Sequence, residues 1–138
     1  MPKMLFVNLP VRDLAAATRF YQAIGFEKNA QFSNEQASSM VWSDAITFQL
    51  MVHDYYATFT TKPIADAHQT SAALFALSRD SRQDVDAIVE AAAKSGGKAD
   101  VREAQDLGFM YIRTFADPDG NVFEPAWMDM SSMTGGQA

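Results

Sequence analysis

One order of strand, helix and strand signals is written twice along this chain, and that doubling narrows the possible folds more than any single motif. Leu9, Asp13 and Gly25 mark a strand end, a helix cap and a helix stop; Leu77, Ser81 and Gly96 repeat the same marks. In the first half, residues 5–11 form an apolar stretch that reads as a strand. Asp13 is a good N-cap for the segment 14–24, where Leu14, Ala17, Phe20, Tyr21 and Ile24 recur at helical spacing. Three short strands are predicted next, around 26–32, 38–42 and 46–52, with turns at Asn34 and Ser43-Asp44. In the second half, residues 72–78 read as a strand. Ser81 caps a helix with the apolar stripe Val85, Ile88, Val89 and Ala92, and Gly96-Gly97 ends it. Strands follow near 98–102, 109–115 and 122–128. The pattern is therefore β-α-β-β-β twice, a repeat of pattern with little residue identity.

This predicts an α+β fold in which each half is a sheet carrying one helix on one face. Residues 1–128 read as a single domain, with one module at about 4–53, a connection at about 54–71 and a second module at about 72–128. Within the connection, Lys62-Pro63 breaks any period, so a link or a short irregular helix is expected. Residues 129–138 are polar and Gly-rich, and are expected to be loose.

Composition removes several functions. With 138 residues, 48% of them hydrophobic and ten of them Phe, the chain can bury a core without staples. The absence of Cys excludes disulfides, thiolate metal sites and Cys nucleophiles, and is compatible with the cytoplasm, the location expected here. A net charge of −6 argues against a phosphate-backbone partner, so no nucleic acid is expected. No apolar run suits a signal peptide or a membrane span. Neither a Gly-rich phosphate loop nor a nucleophile-elbow motif is present.

The stretch from Phe115 to Trp127 reads as strand, tight turn, strand, with Pro118 and Gly120 shaping the turn. Beyond it, Phe123, Pro125 and Trp127 alternate with Val122, Glu124 and Ala126. The bulky set belongs on a core. The other set places one carboxylate, Glu124, in the middle of a small apolar face, where it requires water, a cation, a hydrogen-bond partner or a ligand. If the turn loop is Asp117 to Gly120, antiparallel pairing sets Arg113 opposite Glu124. Asn8 sits two residues after Phe6 on the first strand and likewise needs a polar partner.

Leu9-Pro10-Val11-Arg12-Asp13-Leu14, then Phe20-Tyr21 and Gly25-Phe26, resembles the opening signature of the vicinal oxygen chelate superfamily of glyoxalase I, bleomycin-resistance proteins and extradiol dioxygenases. Asp117-Pro118-Asp119-Gly120-Asn121 with Phe123-Glu124 resembles its closing signature. The likeness covers nearly all of the chain up to about Met128, and is greatest to small bacterial proteins described as predicted lactoylglutathione lyases. It implies a concave mixed sheet in each half with the helices on the outer faces, a ligand or metal in the hollow, and a homodimer. In metal-dependent members, four inward His, Gln or Glu side chains hold the ion. Two come from the first strands of the halves and two from the last. The matching positions here are Phe6, Phe48 (or Gln49, if the register slips by one), Leu74 and Glu124.

The resemblance thus points to a protein similar to bleomycin-resistance proteins, holding a small aromatic or cationic molecule in an apolar hollow. The expected ligand-contacting residues are Phe6, Asn8, Phe48, Leu50, Leu74, Tyr111, Arg113 and Glu124. No cofactor is expected. The alternative is a metal-dependent lyase similar to glyoxalase I, using Ni, Zn, Mn or Fe with Glu124 and recruited ligands such as Gln49 or His53. A third reading makes Glu124 the base of a metal-free enzyme. His53 and His68 lack a shared metal-binding spacing and are expected at the surface or a hinge. Tyr55, Tyr56 and Phe59 form an aromatic cluster that could gate the hollow or pack a subunit contact.

Overall fold

A computed structural model describes residues 3–131. The chain divides between Thr70 and Ser71 into two compact units. The expected looseness of the tail falls, beyond Ser131, outside the described residues.

In the first unit, strand β1 (Leu5–Val11) leads to helix α1 (Leu14–Ala23), then β2 (Glu27–Asn29), β3 (Ala37–Val41) and β4 (Ile46–Val52). The sheet order is β1-β4-β3-β2, with β1 parallel to β4 and the remaining pairs antiparallel. Helix α1 begins where sequence placed it: Asp13 is extended, and its carboxylate accepts the Ala16 N–H at 3.0 Å. It ends at Gly25, whose φ of +111° is one that L side chains rarely adopt. Ala17, Phe20 and Tyr21 on α1 are buried, and Tyr21 meets the rings of Phe26 and Phe48 at 5.0 and 6.1 Å. The helix-side core is completed by Leu9, Val11, Met40 and Leu50. Its polar members, the Thr18 and Ser38 hydroxyls, satisfy each other at 2.7 Å. A short helix, α2 (His53–Tyr56), and a 3-10 turn (Ala57–Phe59) follow β4, and the rings of Tyr55 and Phe59 pack edge to face at 5.1 Å.

The second unit runs β5 (Leu74–Ser78), α3 (Arg82–Lys94), β6 (Lys98–Ala99), β7 (Gln105–Asp106), β8 (Met110–Ile112), β9 (Phe115–Ala116) and β10 (Val122–Met128). The strand predicted near 109–115 is thus broken into β8 and β9, the one predicted near 98–102 is cut short to β6, and β7 lies outside the predicted strands. β8 and β9 both pair with β10, separated by Arg113-Thr114, while β6 pairs with β9 and β7 with β8. With each broken pair taken as one strand, the order is β5, β10, β8/β9, β6/β7, the same as in the first unit, and β5 is parallel to β10. The break centres on Asp100, a non-glycine residue at φ +51°. Asp is among the few side chains that tolerate that left-handed conformation. Helix α3 is capped by Ser81, which accepts the Asp84 N–H at 3.0 Å, and it buries Val85, Ile88, Val89 and Ala92 as its stripe requires. The chain is therefore α+β, with two βαβββ modules, each a mixed sheet with its helix on one face.

Candidate functional site

Each sheet has a helix-packed face and an open face, and period-two alternation decides which residues reach which. On β1, Leu9 and Val11 are buried toward the helix while Phe6 and Asn8 are exposed on the other side. Phe6 pairs with Thr47 and Asn8 with Gln49, so those four share the open face of the first sheet. Phe48 and Leu50 are 2% and 0% exposed on the helix side, Phe48 against Tyr21. The expected placement of Phe48 and Leu50 in a hollow is therefore corrected, and Gln49 takes the place assigned to Phe48. The reason is the alternation of β4: Ile46, Phe48, Leu50 and Val52 form its apolar set and pack toward the helix, which leaves Thr47, Gln49 and Met51 for the open face.

The open face of the first sheet carries a hollow of about 400 Å³, lined by Met4, Phe6, Phe32 and Val41 with Ser39, Thr47 and Gln49 among its polar members. A second hollow, about 700 Å³, sits where β5 and β10 end, beside Arg79, Asp80, Trp127 and Met130. It holds none of the expected site residues.

In the second unit, Leu74 and Glu124 lie on the open face, since Leu74 pairs with Val122 and Ala76 with Glu124, while Phe123 and Pro125 are buried opposite. Tyr111 and Arg113 do not join them. The Tyr111 hydroxyl donates to Asp86 on α3 at 2.7 Å. Arg113 donates to Asp86 at 2.9 Å and, through two nitrogens, to Asp100 at 3.0 and 2.8 Å. Both side chains are on the helix face, and the expected Arg113–Glu124 pair is not formed.

The turn explains the difference. Asp117 N–H donates to the Asn121 carbonyl at 2.9 Å, so the loop closes one residue later than a Gly120 closure would. The Asp117 carboxylate, 3% exposed, takes the N–H groups of Asp119 and Asn121 and the Asn121 side-chain amide. The pairs Val122–Ala116 and Ala126–Ile112 then set Thr114, not Arg113, across from Glu124. A slip of one residue sends a side chain to the other face.

Glu124 is engaged instead by Arg102, from the segment between β6 and β7, with nitrogen and oxygen 2.6 Å apart. Arg102 is anchored by its own N–H, which donates to the Thr114 hydroxyl at 3.2 Å. Regular pairing would have brought Asp100 across from Thr114, near Glu124. The left-handed Asp100 turns toward Arg113 instead, and a cation rather than a second carboxylate meets Glu124. Sequence reasoning missed Arg102 because this bulge arises from long-range pairing; no local turn motif announces it.

The helix-side charges form a network with a clear pH signature. Asp86 is held below the ordinary carboxylate range, first by the Tyr111 hydroxyl and then by Arg113; Asp100 is lowered chiefly by Arg113. Two hydrogen bonds from Arg82 lower Asp106 from 3.8 to about 2. Arg82 also lies 5.1 Å from the ring centroids of both Tyr111 and Trp127. Because these carboxylates bind protons less readily in the folded state, their contribution is present above about pH 4 and is lost as pH falls toward 2. Melting temperatures measured from pH 6 to 2 should drop across that window, and Arg82→Met should flatten the lower part of the drop. An unchanged slope would mean that the Asp106 pair is not populated.

The metal positions that the resemblance implies test poorly against these residues. The registers Asn8–Gln49 and Ala76–Glu124 make Gln49 and Glu124 equivalent in the two modules, and Phe6 is likewise equivalent to Leu74. Phe6 and Leu74 offer no donor atom, and the Glu124 carboxylate is bound to Arg102. No group of three His, Cys, Asp or Glu side chains suited to a metal ion occurs among the described residues, so His53 and His68 belong to none. A divalent ion does not fit this donor set.

Comparison with known proteins agrees with this architecture. Solved structures that match include a hypothetical protein from S. aureus (22% identity, TM-score 0.76, covering 92% of this chain and 94% of that one). A glyoxalase-related enzyme from Fulvimarina pelagi matches at 19% identity and TM-score 0.76, over 92% and 88% of the two chains. The fosfomycin resistance protein FosX from Mesorhizobium loti matches at 17% identity and TM-score 0.69, over 97% and 98%. At such identities the likeness establishes the fold alone. A search of curated proteins finds no match. Among the described residues, no helix is long and apolar enough to cross a membrane. The family model for the glyoxalase/bleomycin resistance protein/dioxygenase superfamily matches residues 3–124, and the chain belongs to that superfamily.

Proposed function

We propose that this chain is a small-molecule-binding member of the superfamily, holding an aromatic or cationic compound on the open face of its first sheet without a complete metal site. The observation that carries this reading is the fate of the four positions at which metal-dependent members place their ligands. Two are apolar here, one is the neutral Gln49, and the remaining carboxylate is held by an arginine. The hollow beside Phe6 and Gln49 supports it: large apolar side chains, Phe6 at 52% and Phe32 at 65% exposure, stand next to polar groups in a concave setting.

Thermal melting with added Ni, Zn, Mn and Mg tests the metal side. A site filled at a thousand times its dissociation constant would add about 4 kcal/mol of stability, so a real site cannot be overlooked. No shift is expected. A midpoint that climbs with metal concentration would instead favour the metal-dependent lyase, to be followed by a hemithioacetal isomerisation assay.

A further inference from the structure

We infer that the first unit's open face selects a neutral planar aromatic compound with an adjacent hydrogen-bond donor and acceptor, such as a carboxamide or lactam edge, in preference to a cation or an anion. This inference rests on the binding reading above and narrows it. The register places Asn8 beside Gln49, Gln49 beside Ser39, and Ser39 beside Asn29, one residue from each of the four strands. Ser39, Gln49 and Asn29 line the hollow, and Asn8 continues the row on the exposed first strand. A row of amides and a hydroxyl therefore crosses the whole sheet at one level.

These side chains keep most of their hydrogen-bonding capacity. Asn29 accepts the Gln31 N–H at 3.1 Å, but no side-chain hydrogen bond engages Asn8 or Gln49 among the described residues. Ser38, one residue away, behaves differently: it faces the helix and is spent on Thr18. A carboxamide such as Gln49 offers two donor hydrogens and an acceptor oxygen close together, and it matches a ligand edge with the same two functions. Beside the row, Phe6, Phe32, Val41 and Met4 supply apolar surface for a planar ring.

The sheet residues that form the floor of the hollow are uncharged. Asp44, in the turn before β4, is the acidic member of its lining, and Glu27 faces the same side opposite Val41 at the sheet edge; both are exposed and so screened by water and salt. Among the described residues, no Lys, Arg or His lines the hollow. A cation or anion entering it would lose hydration with no opposite charge on the floor to replace it, whereas a neutral amide exchanges water for Gln49 and Asn8.

Ligand-observed NMR titrations with benzamide, benzamidinium, benzoate and toluene test the inference, since these share a ring and differ in the group it carries. Benzamide is expected to bind at least about 10-fold more tightly than the two ions. Gln49→Met should reduce benzamide binding about 10-fold while leaving toluene unchanged, and Gln49→Glu should reverse the order in favour of benzamidinium. The melting temperature of each variant checks its folding, and Ser39→Ala offers a smaller perturbation of the same row. Tighter binding of either ion to the unaltered protein would overturn the inference and leave the binding reading standing. So would equal benzamide affinity in the protein and its Gln49→Met variant. Failure of all four probes to bind would overturn both.

Discussion

Replacing Phe123 with Ala should destabilise the protein by about 3–5 kcal/mol, lowering the thermal midpoint by on the order of 10 °C. Phe123 is 0% exposed on β10, stacked on Phe115 at 5.1 Å with nearly parallel rings and tilted against Phe75 at 5.3 Å. Truncation removes the ring's burial and leaves a cavity that the hydrogen-bonded strands and the capped helix around it cannot collapse to fill. Leu74→Ala is the control in the same sheet: that side chain is 52% exposed on the open face, and its loss should cost under about 1 kcal/mol. Urea unfolding of both variants separates the two faces. Equal costs would mean that the face assignment of the second sheet is wrong, and Glu124 with it.

Arg113→Met should cost about 2–3 kcal/mol. The Arg113 side chain is 17% exposed and makes three charge-assisted hydrogen bonds, while those of its partners Asp86 and Asp100 are 45% and 42% exposed. Because both carboxylates can regain water, the loss stays below that of a fully buried pair. The pH dependence identifies the cause. Arg113 is the main reason Asp100 is lowered and the second reason for Asp86. Without it, less stability should be lost between pH 5 and pH 3, because the unfolded and folded states then bind protons more alike. Calorimetry at both pH values measures this. A variant that melts lower but keeps the original pH slope would show a packing role for Arg113 and no ionic one.

The same arginine shows why one part of the site could not be read in advance. Counting from the turn placed Arg113 across from Glu124, and only the closing bond from Asp117 to Asn121 revealed the slip. A single residue of loop length moved Arg113 to the helix and left Thr114 in its place. Gln49 was more accessible to sequence reasoning. In β4 it is the most polar side chain, Thr47 shares its parity, and it occupies the place in its module that Glu124 occupies in the other. Matching to the superfamily sets Phe48 there, one residue out of the register that places Asn8 beside Gln49.

Caps, stops and alternation are local, and they determined the doubled βαβββ order, both helices with their buried stripes, and the burial of Phe123 and Pro125. Asp13, Ser81 and Gly25 act within a few residues of themselves, so their effects needed no tertiary context. The broken outer strands, the left-handed Asp100, the Arg102–Glu124 pair and the polar row across four strands were decided only in the folded chain. Each depends on which residue of one strand meets which residue of another. That choice rests on loop closure and cross-strand charge, where one residue of register outweighs any local preference.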